Sequence, residues 1–543
     1  RALQTLNPYV VGGLTTGQMH AGLLEINPVT YVLEPAIAES FKVEADGKSI
    51  TLDLRNIRFS DGTPLTADDV LFTINDVLLN PEIQSDALRS LRSDLTGADS
   101  QLFLKNAEKL GALKVQLNLT RPHLPLLKLL HDIPILPRHK LADKVKKLNP
   151  NAASEAFIKA WSLDARPEEF AGLGPFRIKS IDPQKGVVLE RNPFYWKVDK
   201  NKVQLPYVNT VFIAFLSDPT KEGTAKLQTG ELDYGALSVD FANVKIKDGQ
   251  DFLSAAAKAG FKLVYQGPSF RTDFITFNQD VPDEALRKIF RDVRFRRAIA
   301  HLVDRERIVK EALKNLGFVR ETSLLPQSPF FDRAANTVYE LDLERAQALL
   351  DELGLKDANK DGIRELPNGK PLQIELIVSD NNEGRINAAK LLADVFAKGG
   401  IKLVAMPLPS SQVSSRIFEK RDYQATIVSW VGSAAFPENF FSLFFSGGRN
   451  HFYKYSDAES KDVPDYQKRV DQILLQQAGE LDPTKRKALF VEMQKLLSEN
   501  LPVIWLYSPG LFAVARPTLG NTGAMVTPDT VFRLLETLWR KDL

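Results

Sequence analysis

The sequence has no cysteine among its 543 residues. Disulfide bonds, zinc sites with thiolate ligands and cysteine nucleophiles are therefore excluded. No run of apolar residues approaches the roughly 18 that a membrane-spanning helix needs. The formal net charge is only +2, so the chain has neither the basic footprint of a nucleic-acid-binding protein nor a charged tail. The remaining composition, 44% hydrophobic and 25% charged, is typical of a globular protein.

Signatures of catalysis are also missing. The sequence has no His-Glu-x-x-His, no Gly-x-Ser-x-Gly and no Walker loop. The run Gly172-Leu173-Gly174-Pro175 lacks the ending of a phosphate loop, and its proline removes a backbone donor that such a loop uses. His123, His131 and His139 are spaced eight apart, which fits no zinc-ligand pattern. We predict that the chain is not an enzyme. A hydrolase whose triad is assembled from distant segments stays the open alternative.

A chain of this length is expected to form two or three domains, each with its own core. Gly-Pro and Pro-Gly breaks near residues 266–268 and 507–510 separate regular segments and predict crossings between domains. Between these breaks, strand patterns alternate with helical patterns, which indicates an α/β fold. The chain begins at Arg1 without signal-peptide features, so we expect that any signal peptide has been removed or left out.

Residues 49–81 contain the clearest local pattern of the chain. Apolar and polar residues alternate from Ser49 to Leu54, which predicts a half-buried strand, and Ser60-Asp61-Gly62 predicts a turn. Thr66 with Asp69 three residues later predicts the start of a helix through a capping box. The apolar face of that helix consists of Val70, Leu71, Ile74, Val77 and Leu78.

The run from Arg58 to Val70 closely resembles the signature segment of the large solute-binding proteins of bacterial peptide importers. These proteins form the dipeptide-, oligopeptide- and nickel-binding family that is often called family 5. Further runs resemble the same family in the same order, including those at residues 33–41, 134–139, 187–196 and 501–507. The resemblance therefore extends over nearly the whole chain.

The resemblance implies an α/β, two-lobed periplasmic-binding-protein fold of type II, in the large cluster with an extra domain, with mixed sheets and a ligand cleft between the lobes. We expect lobe I to comprise residues 1–38, 171–267 and 508–543. An extra α/β domain of residues 39–170 would be inserted in lobe I, and residues 268–507 would form lobe II. Gln266, Gly267, Pro268, Tyr507, Ser508 and Pro509 are the predicted hinge residues.

The function implied is that of an extracytoplasmic substrate-binding protein of an ABC importer, which closes on a small solute and delivers it to a membrane permease. The resemblance implies a periplasmic or other extracytoplasmic location, with a lipid anchor if a cysteine precedes Arg1. We expect a monomer that binds no nucleic acid and requires no cofactor. A peptide or peptide-like ligand is expected, and an oligosaccharide, a metal chelate or heme are the alternatives within the same fold.

The family's cleft residues can be placed on matching segments of this chain. The predicted ligand-binding residues are Met19, His20, Ala21, Phe274, Trp430, Val431, Gly432, Ser433 and Phe436. His20 and Ala21 stand where the family commonly has an aromatic residue and Glu. Peptide-binding members commonly have Asp three residues after the tryptophan, to hold the peptide's α-ammonium, and this chain has Ser433 there. A neutral hydroxyl cannot make the same charge-assisted bond.

Two further patterns leave alternatives open. Phe436, Phe440, Phe441, Phe444 and Phe445 either cover an apolar ligand or form the core face of a helix, and we favour the core. Arg294, Arg296 and Arg297 resemble a basic patch, but no aromatic residues lie between them, so we predict a solvated helix face.

A possible calcium site lies in the run from Asp357 to Glu365. Asp357, Asn359 and Asp361 occupy positions one, three and five of a calcium-type loop, with Gly362 at the sharp turn, the carbonyl of Ile363 at position seven and Glu365 at position nine. Position twelve is Asn368 rather than a bidentate Glu. The alternative is a polar turn between two regular elements. We predict a structural calcium remote from the cleft.

Overall fold

The computed structural model describes residues 5–10, 16–27, 30–85, 88, 92, 103–217, 221–238, 252–433, 437–454, 462–522 and 535–541. No helix in these ranges is both long and apolar enough to cross a membrane. The strands are β1 Leu24–Ile26, β2 Leu33–Pro35, β3 Ala38–Val43, β4 Ser49–Leu54, β5 Leu104–Gly111, β6 Lys114–Leu119, β7 Phe176–Asp182, β8 Gly186–Arg191, β9 Thr210–Ala214, β10 Tyr234–Ser238, β11 Lys262–Pro268, β12 Arg271–Phe277, β13 Gly317–Val319, β14 Gln373–Ser379, β15 Lys402–Leu408, β16 Ala425–Val431, β17 Ile504–Ala515, β18 Leu519–Gly520 and β19 Trp539–Arg540.

The α-helices are α1 Thr16–Met19, α2 Ala67–Leu71, α3 Leu126–Asp132, α4 Arg138–Leu141, α5 Ala156–Lys159, α6 Lys221–Gln228, α7 Phe252–Lys258, α8 Glu284–Arg291, α9 Val293–Leu302, α10 Arg305–Arg307, α11 Leu343–Glu352, α12 Glu383–Lys398, α13 Ser410–Ser414, α14 Phe441–Phe444, α15 Asp465–Gly479 and α16 Pro483–Asn500. Wider π-helical turns continue α2, α10 and α13 at Phe72–Leu78, Ile308–Ala312 and Ser415–Lys420. Short 3-10 turns lie at Ala142–Lys144, Pro167–Glu169, Pro437–Phe440 and Leu535–Thr537.

The signature segment folds as its pattern predicts. β4 buries Ile50, Leu52 and Leu54, and the carboxylate of Asp69 accepts a hydrogen bond of 2.9 Å from the backbone N–H of Thr66 at the start of α2. The other Asp69 oxygen accepts from the backbone N–H of Arg138 at 3.0 Å. One side chain therefore begins a helix and holds the neighbouring proline-rich loop against it.

The strands form mixed sheets. β3-β4-β6-β5 and β7-β8-β9 are antiparallel sheets, and the largest sheet has the order β10-β17-β12-β16-β14-β15, with β11 and β13 also paired to β17. β14 runs parallel to both β15 and β16, whereas the other pairs of this sheet are antiparallel. The predicted mixed α/β class is therefore confirmed.

The hydrophobic interior is divided among separate cores. The largest core on the amino-terminal side runs from Leu6 to Leu189 and includes Leu535 and Leu538. Two other cores lie on opposite faces of the large sheet, because successive side chains of β12 alternate between them: Phe274 packs in one and Ile275 in the other. The amino-terminal core is thus built mainly from a different part of the chain than the two cores that share the large sheet.

β17 is one continuous strand of 12 residues. Its first half pairs with β12 and β13, and its second half pairs with β10 and β11. The crossing at 507–510 was predicted as a break, and this is wrong: Pro509 stays in the ladder because its carbonyl accepts from Ser269 N–H at 2.8 Å. At the first crossing, β11 likewise runs on to Pro268, with an irregular register and a φ of +92° at Gly267. The hinge role of these residues stays a prediction.

A second contact joins the amino-terminal part to the helix pair α15–α16. The backbone N–H of Leu124 donates to the carbonyl of Ala478 at 2.8 Å. A Cβ placed at Gly479 would lie 3.7 Å from Cβ of Pro122. This contact involves residues outside β17. The amino-terminal part and the part that contains α15 and α16 therefore touch at more than one place.

Arg296 and Arg297 of α9 do not form the solvated face that we predicted, whereas the Arg294 side chain is 43% exposed. Arg296 is buried and donates to the carbonyls of Asn500 and Phe290, and Arg297 donates to the carbonyl of Glu499. Asn500 and Glu499 lie at the carboxyl end of α16, whereas Phe290 lies in α8. Guanidinium groups satisfy carbonyls that a helix end leaves unpaired. Arg296 and Arg297 therefore anchor the end of α16.

Candidate functional site

Three strands of the large sheet end at the same side. β14, β15 and β16 end at Ser379, Leu408 and Val431, and β12 begins there with Arg271 opposite Val431. In open α/β sheets, ligands bind outside the carboxyl ends of the strands. We call this side the carboxyl edge and define it by residues 271–273, 379–385, 408–410 and 430–433.

The predicted run Trp430–Ser433 lies on the carboxyl edge. Trp430 pairs with Thr272 across the ladder, and the backbone N–H of Gly432 donates to the carbonyl of Phe270 at 2.9 Å. Trp430 is half-buried, Val431 is 55% exposed, and Gly432 and Ser433 are buried. The indole N–H of Trp430 is shielded from solvent and has no hydrogen-bond partner among the described residues. An exposed end of a strand with a shielded donor beside it is suited to holding an extended ligand.

Asp273 carries the main charge of the carboxyl edge. Its side chain is 0% exposed and lies between Arg385 at 2.7 Å and Arg271 at 3.1 Å. Burial would raise the pKa of Asp273, but the charges and hydrogen bonds of Arg385 and Arg271 outweigh burial and hold the pKa below its usual value. One carboxylate between two guanidinium groups leaves an excess of positive charge within this three-residue cluster.

Our sequence reasoning missed this cluster, although a signal was present. Asp273 directly precedes the apolar pair Phe274-Ile275 in a predicted strand, and a carboxylate buried beside such residues requires a partner. Arg385 follows Asn382, whose side chain caps α12 by accepting from the Arg385 backbone N–H at 2.9 Å. The partner of Asp273 could not be identified from the sequence, because it lies 112 residues away.

Hydroxyl groups complete the carboxyl edge. The hydroxyls of Thr272 and Ser508 are 3.1 Å apart, and Ser379 bonds both to Ser410 and, at 2.8 Å, to the Asn381 side chain. These hydroxyls are bonded to one another or to an amide, and no histidine takes part in those bonds. The arrangement can hydrogen-bond a ligand, and it does not resemble a nucleophile with its base.

Several predicted ligand residues lie deeper than we expected. Phe274 is 0% exposed and packs edge-to-face on Trp505 at 5.1 Å, so it belongs to the core and not to an exposed wall. Phe440 and Phe444 are also buried, as the favoured core interpretation requires, and Phe441 and Phe445 pack against the same core. Phe436 lies outside the described residues.

The segment from Met19 to Ala21 lies against the glycines at 172–174. A Cβ at Gly172 would lie 1.9 Å from the carbonyl oxygen of Met19, which explains why glycine is needed there. Met19 and His20 are buried and Ala21 is half-buried. The His20 ring stacks on Trp161 at 5.5 Å, both ring nitrogens lack partners among the described residues, and burial lowers its pKa to about 4. His20 is therefore a neutral core side chain in this structure.

The calcium-type loop brings its acidic groups together. Ligand oxygens of Asp357, Asp361 and Glu365 lie within 4.8 Å of one another on an exposed loop. Oxygens of the same side chains accept backbone N–H groups, including that of Gly362 by Asp357 at 2.9 Å and that of Ala358 by Glu365 at 2.8 Å. The Asn359 side chain caps Asp361 N–H at 2.9 Å, and Ile363 follows the turn. Both readings of the loop fit this geometry, so the calcium site stays a prediction.

Comparison with known proteins agrees with this geometry. The chain matches the family described as bacterial extracellular solute-binding proteins, family 5 middle, over residues 32–452. It is 25% identical over 527 residues to a probable ABC transporter-binding protein of Deinococcus radiodurans, covering 93% of this chain and 84% of that protein. It is 26% identical over 543 residues to the oligopeptide-binding protein OppA of Bacillus subtilis, covering 95% of this chain and 88% of that protein.

A solved structure supports the fold independently. NikA of Brucella suis, in complex with Fe(III)-EDTA, superposes with a TM-score of 0.77 at 21% identity, covering 100% of this chain and 99% of that one. At this identity the likeness establishes the fold and not the ligand. Since the family match spans most of the chain, this protein belongs to the family 5 bacterial extracellular solute-binding proteins.

Proposed function

We propose that the chain captures an oligopeptide outside the cytoplasm and delivers it to the permease of an ABC importer. The proposal draws on the family and on similarity to the B. subtilis oligopeptide-binding protein. It places the protein outside the cytoplasm, free or held by a lipid anchor, and acting as a monomer without catalysis. The residue ranges 1–38, 171–267 and 508–543, 39–170, and 268–507 remain our proposed division into lobe I, extra domain and lobe II.

The observation that carries the peptide proposal is the unpaired side of β16. β14 pairs with β16 only at Ala425 and Thr426. Within the described strands, the next residues of β16, up to Val431, therefore have no ladder partner on that side. A peptide in extended conformation can add a strand to such an edge, using main-chain hydrogen bonds for affinity.

The ligand class is tested by what the purified protein holds and binds. We expect mass spectrometry of the denatured protein to release peptides, and calorimetry to give binding of a mixed tetra- to nonapeptide pool. Binding of an oligosaccharide or a nickel chelate with no binding of peptides would overturn the peptide proposal. Recovery of cleaved peptides would instead favour the hydrolase alternative.

We propose that closure involves rotation at Gln266–Pro268 and Tyr507–Pro509. A ligand shifts the equilibrium towards the closed state only if it binds that state more tightly than the open one. Small-angle scattering should therefore report a smaller radius of gyration with the peptide pool than without it. An unchanged radius in the presence of saturating peptide would count against hinge closure.

A designed disulfide sharpens this test, because the protein has no cysteine of its own. The Cβ separation of 3.7 Å between Pro122 and a side chain at Gly479 suits a disulfide. We expect P122C/G479C to crosslink under oxidation and to slow peptide exchange, while the reduced form behaves as wild type. The single variant P122C is the matched control.

A further inference from the structure

Arg320 is a buried cation with unused donors. It follows β13, and its backbone N–H donates to the carbonyl of Leu506 at 3.1 Å. Its side chain belongs to a residue only 6% exposed, yet Nε and Nη2 have no hydrogen-bond partner in the part of the chain that the structure describes. Burial alone lowers the pKa of Arg320, to about 10. A buried guanidinium without a counter-ion is costly, so it requires an explanation.

A second unused polar group lies in the same segment. The Ser323 hydroxyl is also buried and has no partner among the described residues. The neighbouring Thr322 hydroxyl, by contrast, donates to the carbonyl of Leu324 at 3.0 Å. Residues 320–323 therefore contain a cationic donor and a hydroxyl donor that the fold itself does not use.

Arg305 is the informative contrast. It is buried to a similar extent, at 8% exposure, and burial also lowers its pKa to about 10. Its guanidinium, however, donates to the carbonyls of Trp505 at 2.9 Å and Tyr339 at 3.1 Å. The side-chain hydrogen bonds of Arg305 give it a structural role. Among the described residues, Nε and Nη2 of Arg320 make no such bonds.

Among the described residues, no carboxylate compensates the charge of Arg320. Glu321 is adjacent in sequence, but its carboxylate lies 3.3 Å from Arg333 and influences Arg305. Burial is the one cause that shifts the pKa of Arg320, and no acidic group opposes it. The positive charge of Arg320 is therefore available to a group that the chain does not supply.

The segment borders the carboxyl edge. Leu325 packs with Phe270, and a Cβ at Gly432 would lie 3.7 Å from Cδ1 of Leu325. Gly432 belongs to the run beside which we place the ligand. Val319, the residue before Arg320, pairs with Tyr507, and Tyr507 pairs on its other side with Asp273 of the carboxyl edge. A solute that reaches both β16 and residues 320–323 would therefore extend across β12 and β17.

We propose that Arg320, with the Ser323 hydroxyl, is a subsite for an oxyanion group, namely a carboxylate carried by the transported solute. A guanidinium offers paired N–H donors that match the two oxygens of a carboxylate. The inference rests on the proposed function. The same chemistry would accept a free inorganic oxyanion, and the experiment separates these two sources.

The test compares R320M with R305M. Replacing an unpaired buried charge by an apolar side chain of similar length is neutral or stabilising, whereas removing donors that satisfy buried carbonyls destabilises. In ligand-free protein we expect R320M to keep or raise the thermal midpoint and R305M to lower it. If R320M lowers the midpoint as much as R305M does, the guanidinium is structural and the proposal is overturned.

The binding arm uses named probes at constant ionic strength: sodium acetate, sodium phosphate, and a peptide pool with and without amidated carboxyl groups. We expect wild type and R305M to bind the carboxylate-bearing pool, and R320M to lose about tenfold in affinity, or about 1.4 kcal/mol. S323A should lose less. Saturable binding of phosphate or acetate with no preference for the carboxylate pool would assign the subsite to a free anion and overturn the solute assignment.

The outcomes separate this inference from the proposed function. If wild type and R320M bind the peptide pools equally, Arg320 is no subsite, and the peptide proposal stands. If no peptide binds but acetate or phosphate binding depends on Arg320, the oxyanion subsite stands and the peptide proposal fails.

Discussion

Two buried charge clusters of the molecule use the same kinds of side chain and differ in balance. In the first, Lys197 lies 2.5 Å from Glu25 and 3.6 Å from Glu536, and the Tyr195 hydroxyl donates to Glu536 at 2.8 Å. In the second, one carboxylate, Asp273, lies between two arginines. Carboxylates outnumber cations in the first cluster, and cations outnumber carboxylates in the second.

The positions of the clusters explain the difference. The Lys197 cluster joins three segments that are distant in sequence and lies beside the amino-terminal core, so its work is structural. The Asp273 cluster lies at the carboxyl edge, where we place the solute. The comparison indicates that the balance of charges around a buried ion pair distinguishes a structural ion pair from a candidate binding group.

The largest expected effect is that of D273N. The substitution leaves Arg271 and Arg385 close together without a counter-ion, and breaking such a buried pair costs about 3–5 kcal/mol. Urea unfolding at pH 7 should show this loss. A loss below about 1 kcal/mol would mean that solvent screens the cluster and that the contrast with Lys197 is wrong.

K197M should cost less, about 2 kcal/mol, because the side chain of Lys197 is 23% exposed and water compensates part of the loss. The same urea experiment measures it, with peptide binding as a second readout. We expect K197M to leave peptide affinity unchanged. A change in affinity would contradict the structural role assigned to this cluster.

The contributions of the two clusters to stability should be lost at opposite ends of the pH scale. The pKa of Asp273 is lowered, so its stabilisation is present above about pH 3.9 and is lost as pH falls through the folded value. Burial would lower the pKa of Lys197, but Glu536 and Glu25 outweigh burial and raise it. Its stabilisation is therefore present below about pH 10.4 and is lost as pH rises through the folded value.

Stability measured against pH tests this directly. The difference between wild type and D273N should shrink in acid, and the difference between wild type and K197M should shrink in alkali. Parallel curves for wild type and both variants would show that neither ion pair contributes through its charge.

The carboxylates of the exposed loop 357–365 extend the comparison to acidic groups that form no ion pair within the described part of the chain. If calcium supplies a cation there, it should raise stability by about 1 kcal/mol at five times its dissociation constant. Thermal unfolding with calcium and then with chelator measures the shift, and D361A should abolish it. A calcium shift that persists in D361A would place the metal elsewhere.

The smallest effect is expected from acetylation of a peptide's amino terminus. The single buried carboxylate of the carboxyl edge, Asp273, is already paired with two arginines, and Ser433 offers no carboxylate for an ammonium group. Calorimetry with free and acetylated peptides should therefore differ by less than tenfold, or about 1.4 kcal/mol. A larger loss on acetylation would require an acid at this edge that the comparison has overlooked.

Local patterns in the sequence predicted the elements well. The alternation at 49–54 and the capping pair Thr66–Asp69 both appear in the structure, because each depends on neighbouring residues. The loop at 357–365 was also recognisable, since its polar residues bond to their own backbone. Contacts between residues that are close in the sequence can therefore be predicted from the sequence.

Contacts between residues that are far apart in the sequence could not be predicted. Arg385 and Asp273 form an ion pair although they are 112 residues apart. Arg296 and Arg297 of α9 donate to carbonyls at a helix end some two hundred residues later. Met19, His20 and Phe274 were placed at a ligand by resemblance, yet tertiary packing buries them. What the sequence could not supply was which face of each segment the rest of the fold would cover.

The continuity of β17 has a consequence for how such a chain can vary. Twelve residues span about 40 Å, and both halves of this strand take their register from one backbone. Inserting or deleting a single residue near Ser508 would turn every following side chain to the opposite face. The strands paired to the second half would then meet the wrong residues. The chain can tolerate changes of length elsewhere, but the number of residues in this strand must stay the same.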